Sequence, residues 1–275
     1  MQRKRIRATT LLAIGILIAA LQPVGASSER SLWVWDGPTD SVIEFAVTHG
    51  ITDIYLHAPP NFSRNGLYSQ FIESAHAVGI NVLAAGGNPS WSSDSGAWNA
   101  WVDEVVAFQG FDGLVFDVEP HLHPDWDTRK QHRLLRLFVN GLQRAASRAG
   151  SLPVYTTVPF WWDLPAYRVR SNLLVEHVLD HSDGIVIMAY RDTVEGDDGI
   201  IQLARNEANL AALKGREFVI GVETSPTESD KISFAEEGSA NLEIELAKVR
   251  ARYETMATFA GTAVHDFESY SSLGP

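Results

Sequence analysis

Short apolar runs recur along this chain, and each gives way to polar or conformationally special residues. Leu32-Trp33-Val34-Trp35 ends at Asp36, Asp53-Ile54-Tyr55-Leu56 ends at His57, and Asn81 to Ala85 ends at Gly86-Gly87-Asn88. Leu114-Val115-Phe116 stops at Asp117-Val118-Glu119-Pro120, where a proline closes off further ladder pairing. Val154 to Val158 leads to Pro159 and Trp161-Trp162-Asp163, and Ile185 to Ala189 leads to Tyr190-Arg191-Asp192. Phe218 to Val222 ends at Glu223-Thr224, and Thr262 to Val264 ends at His265-Asp266-Phe267-Glu268. Runs of this length with such flanks read as buried strands.

Between them the apolar spacing is helical. Thr39 is placed to cap a helix carrying Val42, Ile43, Phe45, Ala46 and Val47, with Gly50 as its stop. Tyr68 to Val78, Ala97 to Phe108, Arg129 to Arg148, Leu173 to Leu179, Leu203 to Leu213 and Leu242 to Tyr253 follow the same rule. Ser233 and Glu236 fit a capping box at a helix start. Strand-helix alternation predicts a parallel sheet. Repeated eight times, it predicts an α/β fold closed as a (β/α)₈ TIM barrel, a single domain over 27–275. The chemistry-bearing residues fall just after the strands, where barrel enzymes keep their sites. An open doubly wound sheet would need a glycine-rich phosphate loop after its first strand, and Asp36-Gly37-Pro38 is not one.

The first residues change the picture of where the protein works. Arg3, Lys4, Arg5 and Arg7 precede an apolar stretch from Leu11 to Leu21, then Val24-Gly25-Ala26. This pattern predicts a signal peptide over 1–26, cleaved after Ala26, with an uncleaved anchor as the alternative. The expected location is secreted, or periplasmic and cell-envelope. Cysteine is absent, which excludes disulfides, thiolate nucleophiles and cysteine-ligated metals. A net charge of −12 argues against nucleic acid or an anionic membrane surface as partner, and a monomer is expected. Eight Trp residues offer flat faces on which sugar rings stack.

Asp117 and Glu119 carry the sharpest signal. Side chains alternate along a strand, so the two carboxylates point to one side. Acids held this close split their pKa values, which gives a proton donor and an anion. The segment resembles the signature of family 18 glycoside hydrolases, the chitinase group, Asp-Gly-x-Asp-x-Asp-x-Glu. Asp112, Gly113, Asp117 and Glu119 match it, and Val115 replaces its middle aspartate. Met188-Ala189-Tyr190 is similar to the family's Met-x-Tyr element, with Arg191 where an aspartate usually follows. The resemblance implies that Glu119 protonates the glycosidic oxygen, that Asp117 orients an acetamido group, and that Tyr190 donates a hydrogen bond to the reacting sugar; burial beside Asp117 is expected to raise the Glu119 pKa toward the working pH. A second resemblance, to clan A retaining glycosidases, implies Glu119 as acid/base and Glu223 as nucleophile, with carboxyl groups about 5–5.5 Å apart.

Further rim residues are expected to bind substrate: Asp36, His57, Trp161, Trp162, Arg191, His265 and Asp266, with Trp91 and Trp126 as weaker candidates for stacking. Arg191 is also a candidate ion partner for Glu223 or Asp117. His57, Asp117, Glu119, His265 and Asp266 could instead surround a metal, but no His-x-His or His-Glu-x-x-His pair occurs, so neither metal nor cofactor is expected. A non-catalytic sugar-binding barrel is the other alternative; chitinase-like lectins usually lack the glutamate that is present here. The sequence therefore predicts a retaining glycoside hydrolase acting on a polysaccharide or glycoconjugate. Short loops, expected between these elements, suit a soluble or cell-envelope glycan.

Overall fold

The computed structural model describes residues 29–275, so the signal segment expected over 1–26 lies outside the described residues. Eight parallel strands form a closed barrel: β1 (Glu29–Val34), β2 (Asp53–His57), β3 (Asn81–Gly86), β4 (Gly113–Phe116), β5 (Val154–Pro159), β6 (Gly184–Met188), β7 (Glu217–Glu223) and β8 (Phe259–His265). Each pairs with its sequence neighbours, and β8 returns to β1 with Leu32 opposite Val264. The single-domain (β/α)₈ expectation holds.

Alternation along the strands separates two cores. Trp33, Tyr55, Leu83, Val115 and Val219 fill the barrel interior. Leu32, Ile54, Leu114, Phe116 and Phe218 face outward against the helices. Fully burying such side chains contributes about 1.5–3 kcal/mol each, which is why cysteine staples are unnecessary at this size.

The helices are α1 (Asp40–Thr48), α2 (Leu67–Ala77), α3 (Ser95–Phe108), α4 (Gln131–Arg148), α5 (Leu174–His181), α6 (Ile200–Lys214), α7 (Gly238–Tyr253) and α8 (Phe267–Ser271). None among the described residues is long and apolar enough to cross a membrane. Two local expectations change. Thr39 occupies the position before α1 in extended backbone, but its hydroxyl meets that of Ser41 at 2.9 Å and caps no amide. Ser233 and Glu236 do not start a helix, because Phe234 is pulled inward by its N–H bond to the Glu223 carbonyl (2.9 Å). Gly238, with φ near 80°, then separates that loop from the rest of α7. After β8, Asp266 caps α8 by accepting from the Ser269 amide at 3.0 Å.

The β5–α5 connection is also more than a short loop. It contains an antiparallel pair, Arg168–Val169 with Asn172–Leu173, which raises a wall carrying Trp161 and Tyr167 beside the barrel mouth.

Candidate active site

The site grows from the end of β4. The Asp117 amide still bonds to the Gly86 carbonyl at 2.9 Å, so the strand phase persists one step past Phe116. Val115 faces the barrel interior, Phe116 and Val118 pack in the outer core, and Asp117 and Glu119 return to the inner side. This close approach needs glycine next door: a Cβ on Gly87 would lie 1.8 Å from the Asp117 carbonyl oxygen. Pro120 then ends the pairing and opens a 3₁₀ turn, Pro120–Leu122, which folds His121 back toward Glu119.

Asp117, Glu119, Trp33, Met188, Tyr190 and His265 enclose a hollow of about 160 Å³ at the carboxyl end of the strands. The indole of Trp33 is buried and packs edge-on against the rings of Tyr55 and His265. Asp117 shows an edge to the hollow yet lies deep in the protein, and Oδ1 accepts from the Thr157 hydroxyl at 2.6 Å. Burial and the neighbouring charge of Glu119 push the Asp117 carboxyl up to about 6, against the opposing pull of the Thr157 bond. Glu119 is more open, and its Oε1 lies 3.3 Å from His121 Nε2. Burial, together with Glu223, Asp117, Glu119 and Asp266, raises the Tyr190 phenol well above its ordinary range, so its hydroxyl is a donor at every physiological pH.

Glu223 is engaged elsewhere. Its Oε1 accepts the amides of Thr224 (2.9 Å) and Ser225 (2.7 Å), and its Oε2 lies 2.9 Å from His265 Nδ1, without good hydrogen-bond alignment. It does not line the hollow. On the other side of the His265 ring, the Trp35 indole donates to Nε2 at 2.8 Å. An indole N–H only donates, so Nε2 carries the lone pair and the ring proton sits on Nδ1, toward Glu223. Burial opposes the imidazolium and Glu223, Asp266 and Asp117 favour it, with a net upward shift. Protonation also requires breaking the Trp35 bond.

The remaining predicted residues divide. His57 stands behind Trp35, its Nδ1 3.2 Å from the Trp35 carbonyl. Asp36 is exposed, and its amide bonds to Glu268 Oε1 at 3.2 Å. Asp266 is the cap of α8. Arg191 pairs with neither Glu223 nor Asp117; it reaches Asp198 at 2.9 Å and the Tyr190 carbonyl at 2.7 Å, because the loop after β6 turns it away from the mouth. Trp162 is not a substrate residue, being fully buried against Phe138, and Trp91 packs on Trp98 and Trp101. Trp161 remains partly open in a cluster with His121, Trp126 and Tyr167 beside Glu119. Among the described residues no three His or acidic side chains are grouped so as to hold a metal ion.

Sequence reasoning missed Trp33, His121, Trp35 and Thr157. For Trp33 and Thr157 a signal existed, since both occupy the inward phase of their strands.

No protein-family model matches the chain, and no curated protein matches it in sequence. Solved structures do. A chitinase from Chromobacterium violaceum superposes with a TM-score of 0.58 at 11% identity, covering 88% of this chain and 95% of that one. The fold is that of the family 18 glycoside hydrolases. A family 18 chitinase from Cycas revoluta in complex with (GlcNAc)3 gives a TM-score of 0.52 at 12% identity, with the same coverage of 88% and 95%. The spore cortex-lytic enzyme SleL from Bacillus megaterium gives 0.53 at 12%, covering 87% of this chain and 70% of that one.

Proposed function

We propose that this chain is a glycoside hydrolase that cleaves glycosidic bonds at an N-acetylated sugar, with Glu119 as general acid and base. The observation that carries the reading is the shared hollow, in which Asp117, Glu119 and the Tyr190 phenol converge. Its 160 Å³, roughly the bulk of five waters, suits an acetamido arm with the rest of the sugar above the rim. The fold similarity to chitinases, and to a spore cortex-lytic enzyme, supports the same class of substrate.

In this reading Glu119 protonates the glycosidic oxygen as its bond to the anomeric carbon breaks. The acetamido oxygen attacks that carbon from the opposite face, and Asp117 accepts the acetamido N–H while Tyr190 donates to the carbonyl oxygen. Glu119, now a carboxylate, takes a proton from the water that reopens the ring, so configuration is retained through two inversions. The two amides held by Glu223 and its contact with His265 favour this substrate-assisted route over a covalent bond to Glu223. Trp161 is suited to floor a neighbouring subsite, backed by the buried ring of Trp126. Export through the N-terminal segment and action as a monomer belong to the same reading; sequencing of the mature N-terminus should begin at Ser27.

The test is turnover of labelled N-acetylglucosamine oligomers and peptidoglycan strands by wild type and Glu119→Gln. The wild type should release product of retained configuration by NMR, and the variant should lose about 10²–10⁴-fold in kcat while still binding. An inverted first product, or an unchanged variant, overturns the assignment.

A further inference from the structure

A second concavity lies away from the rim, on the outer wall between α4 and α5. It has a volume of about 520 Å³ and is lined by three arginines, two histidines, two amides and an apolar floor, with no carboxylate. On α4, Arg133, Arg136, Asn140 and Gln143 follow at helical spacing, one stripe about 15 Å long. Arg170 and His177 face them from the β5–α5 connection and α5.

The charge here is the reverse of the chain as a whole, which has 34 acidic against 22 basic residues. Eight Lys and Arg side chains elsewhere are paired with carboxylates, including Lys130 and Arg148 at either end of α4. Arg133, Arg136 and Arg170 form no ion pair with any described residue. The arrangement also works against the helix: α4 has no acid in its first turn, and Arg133 and Arg136 place like charges one turn apart near its positive end. Repulsion of this kind is relieved by an anion.

The groove is too long for an isolated small anion, and it is not purely ionic. Leu137, Val139 and Val169 give it an apolar floor, while the amides of Asn140 and Gln143 make no hydrogen bond to other described side chains. Guanidinium forks for acidic groups, amides for hydroxyls and an apolar strip for ring faces together match a charged sugar chain. We propose that the α4–α5 groove binds an acidic polysaccharide, its carboxylates paired with Arg133, Arg136 and Arg170. This site is independent of the rim chemistry.

The experiment is calorimetric titration of the full chain at low salt with an oligogalacturonate, a glycerol-phosphate oligomer, a neutral N-acetylglucosamine oligomer and a single-stranded DNA of equal charge. The expected result is saturable, salt-sensitive binding of the oligogalacturonate, and weaker binding of the glycerol-phosphate oligomer, which has no ring faces for the apolar strip. Arg133→Ala with Arg136→Ala should weaken oligogalacturonate binding about tenfold or more, as should Arg170→Ala, and Glu119→Gln should leave it unchanged. Thermal unfolding of the arginine variants, expected at or above the wild-type midpoint, shows that lost binding is not lost folding. No saturable binding of the oligogalacturonate, equal or tighter binding of the DNA or of the glycerol-phosphate oligomer, or arginine variants that bind like wild type would overturn the proposal.

Discussion

Replacing Asp117 by asparagine should make the protein more stable above pH 6 and leave it unchanged near pH 4. The carboxyl moves from 3.8 to about 6 in the fold, through burial and the adjacent Glu119 charge. An acid with a raised pKa binds its proton more tightly in the folded state, so stability declines as pH climbs from 3.8 to 6 and stays level above. A shift of about two units is worth at most about 3 kcal/mol, the cost of holding Asp117 ionised at neutral pH. Asparagine removes that charge, keeps an oxygen for the Thr157 hydroxyl, and turns an N–H toward Glu119 where two anions repelled. Relaxation around the site reduces the gain to about 1–3 kcal/mol, or roughly 3–9 °C for a domain of this size. Differential scanning calorimetry of both proteins from pH 4 to pH 8 measures it. A variant no more stable than wild type at pH 7.5, or a gain that persists undiminished at pH 4, would refute the reasoning.

Tyr190→Phe keeps the ring that packs beside His265 and removes only the hydroxyl; kcat on an N-acetylated oligomer should fall about 10²-fold with the melting midpoint almost unmoved. The two adjacent tryptophans should separate cleanly. Trp162→Ala opens a cavity against Phe138 and should cost about 3–5 kcal/mol in denaturant unfolding. Trp161→Ala should cost far less stability and instead raise KM, because its ring is partly open beside Glu119.

How far the sequence reaches into this site depends on backbone regularity. Strand phase placed Val115, Asp117 and Glu119 on one side, and that phase survives past the end of β4. Where the phase breaks, prediction fails: beyond Pro159 nothing in Trp161-Trp162 says which indole turns inward. Arg191 finds Asp198 across a loop whose path no periodicity encodes, and α8 is too short to show a period at all. Glu223 was legible as a carboxylate at the mouth, but its amide partners come from the turn that follows it. Thr157 and Trp33 lie on inward strand positions, where alternation gives the direction of a side chain but not whether it reaches the mouth of the barrel.

Three carboxylates meet at the barrel mouth, and the structure supplies them unequally with donors. Glu223 has two backbone amides and the His265 ring, and Glu119 has an open side and His121, whereas Asp117 has the Thr157 hydroxyl alone. Asp117 is therefore the anion that gains most from one more donor, and under the proposed function the acetamido N–H is that donor. A ligand that bonds to ionised Asp117 must lower its pKa, so affinity should rise with pH through the window below 6 and level off above it. Binding of a non-hydrolysable, sulfur-linked N-acetylglucosamine oligomer should tighten about tenfold between pH 4.5 and pH 7, whereas a glucose oligomer lacking the acetamido group should show no such trend. If the two ligands respond to pH alike, the acetamido arm does not meet Asp117, and the substrate-assisted route loses its anchor.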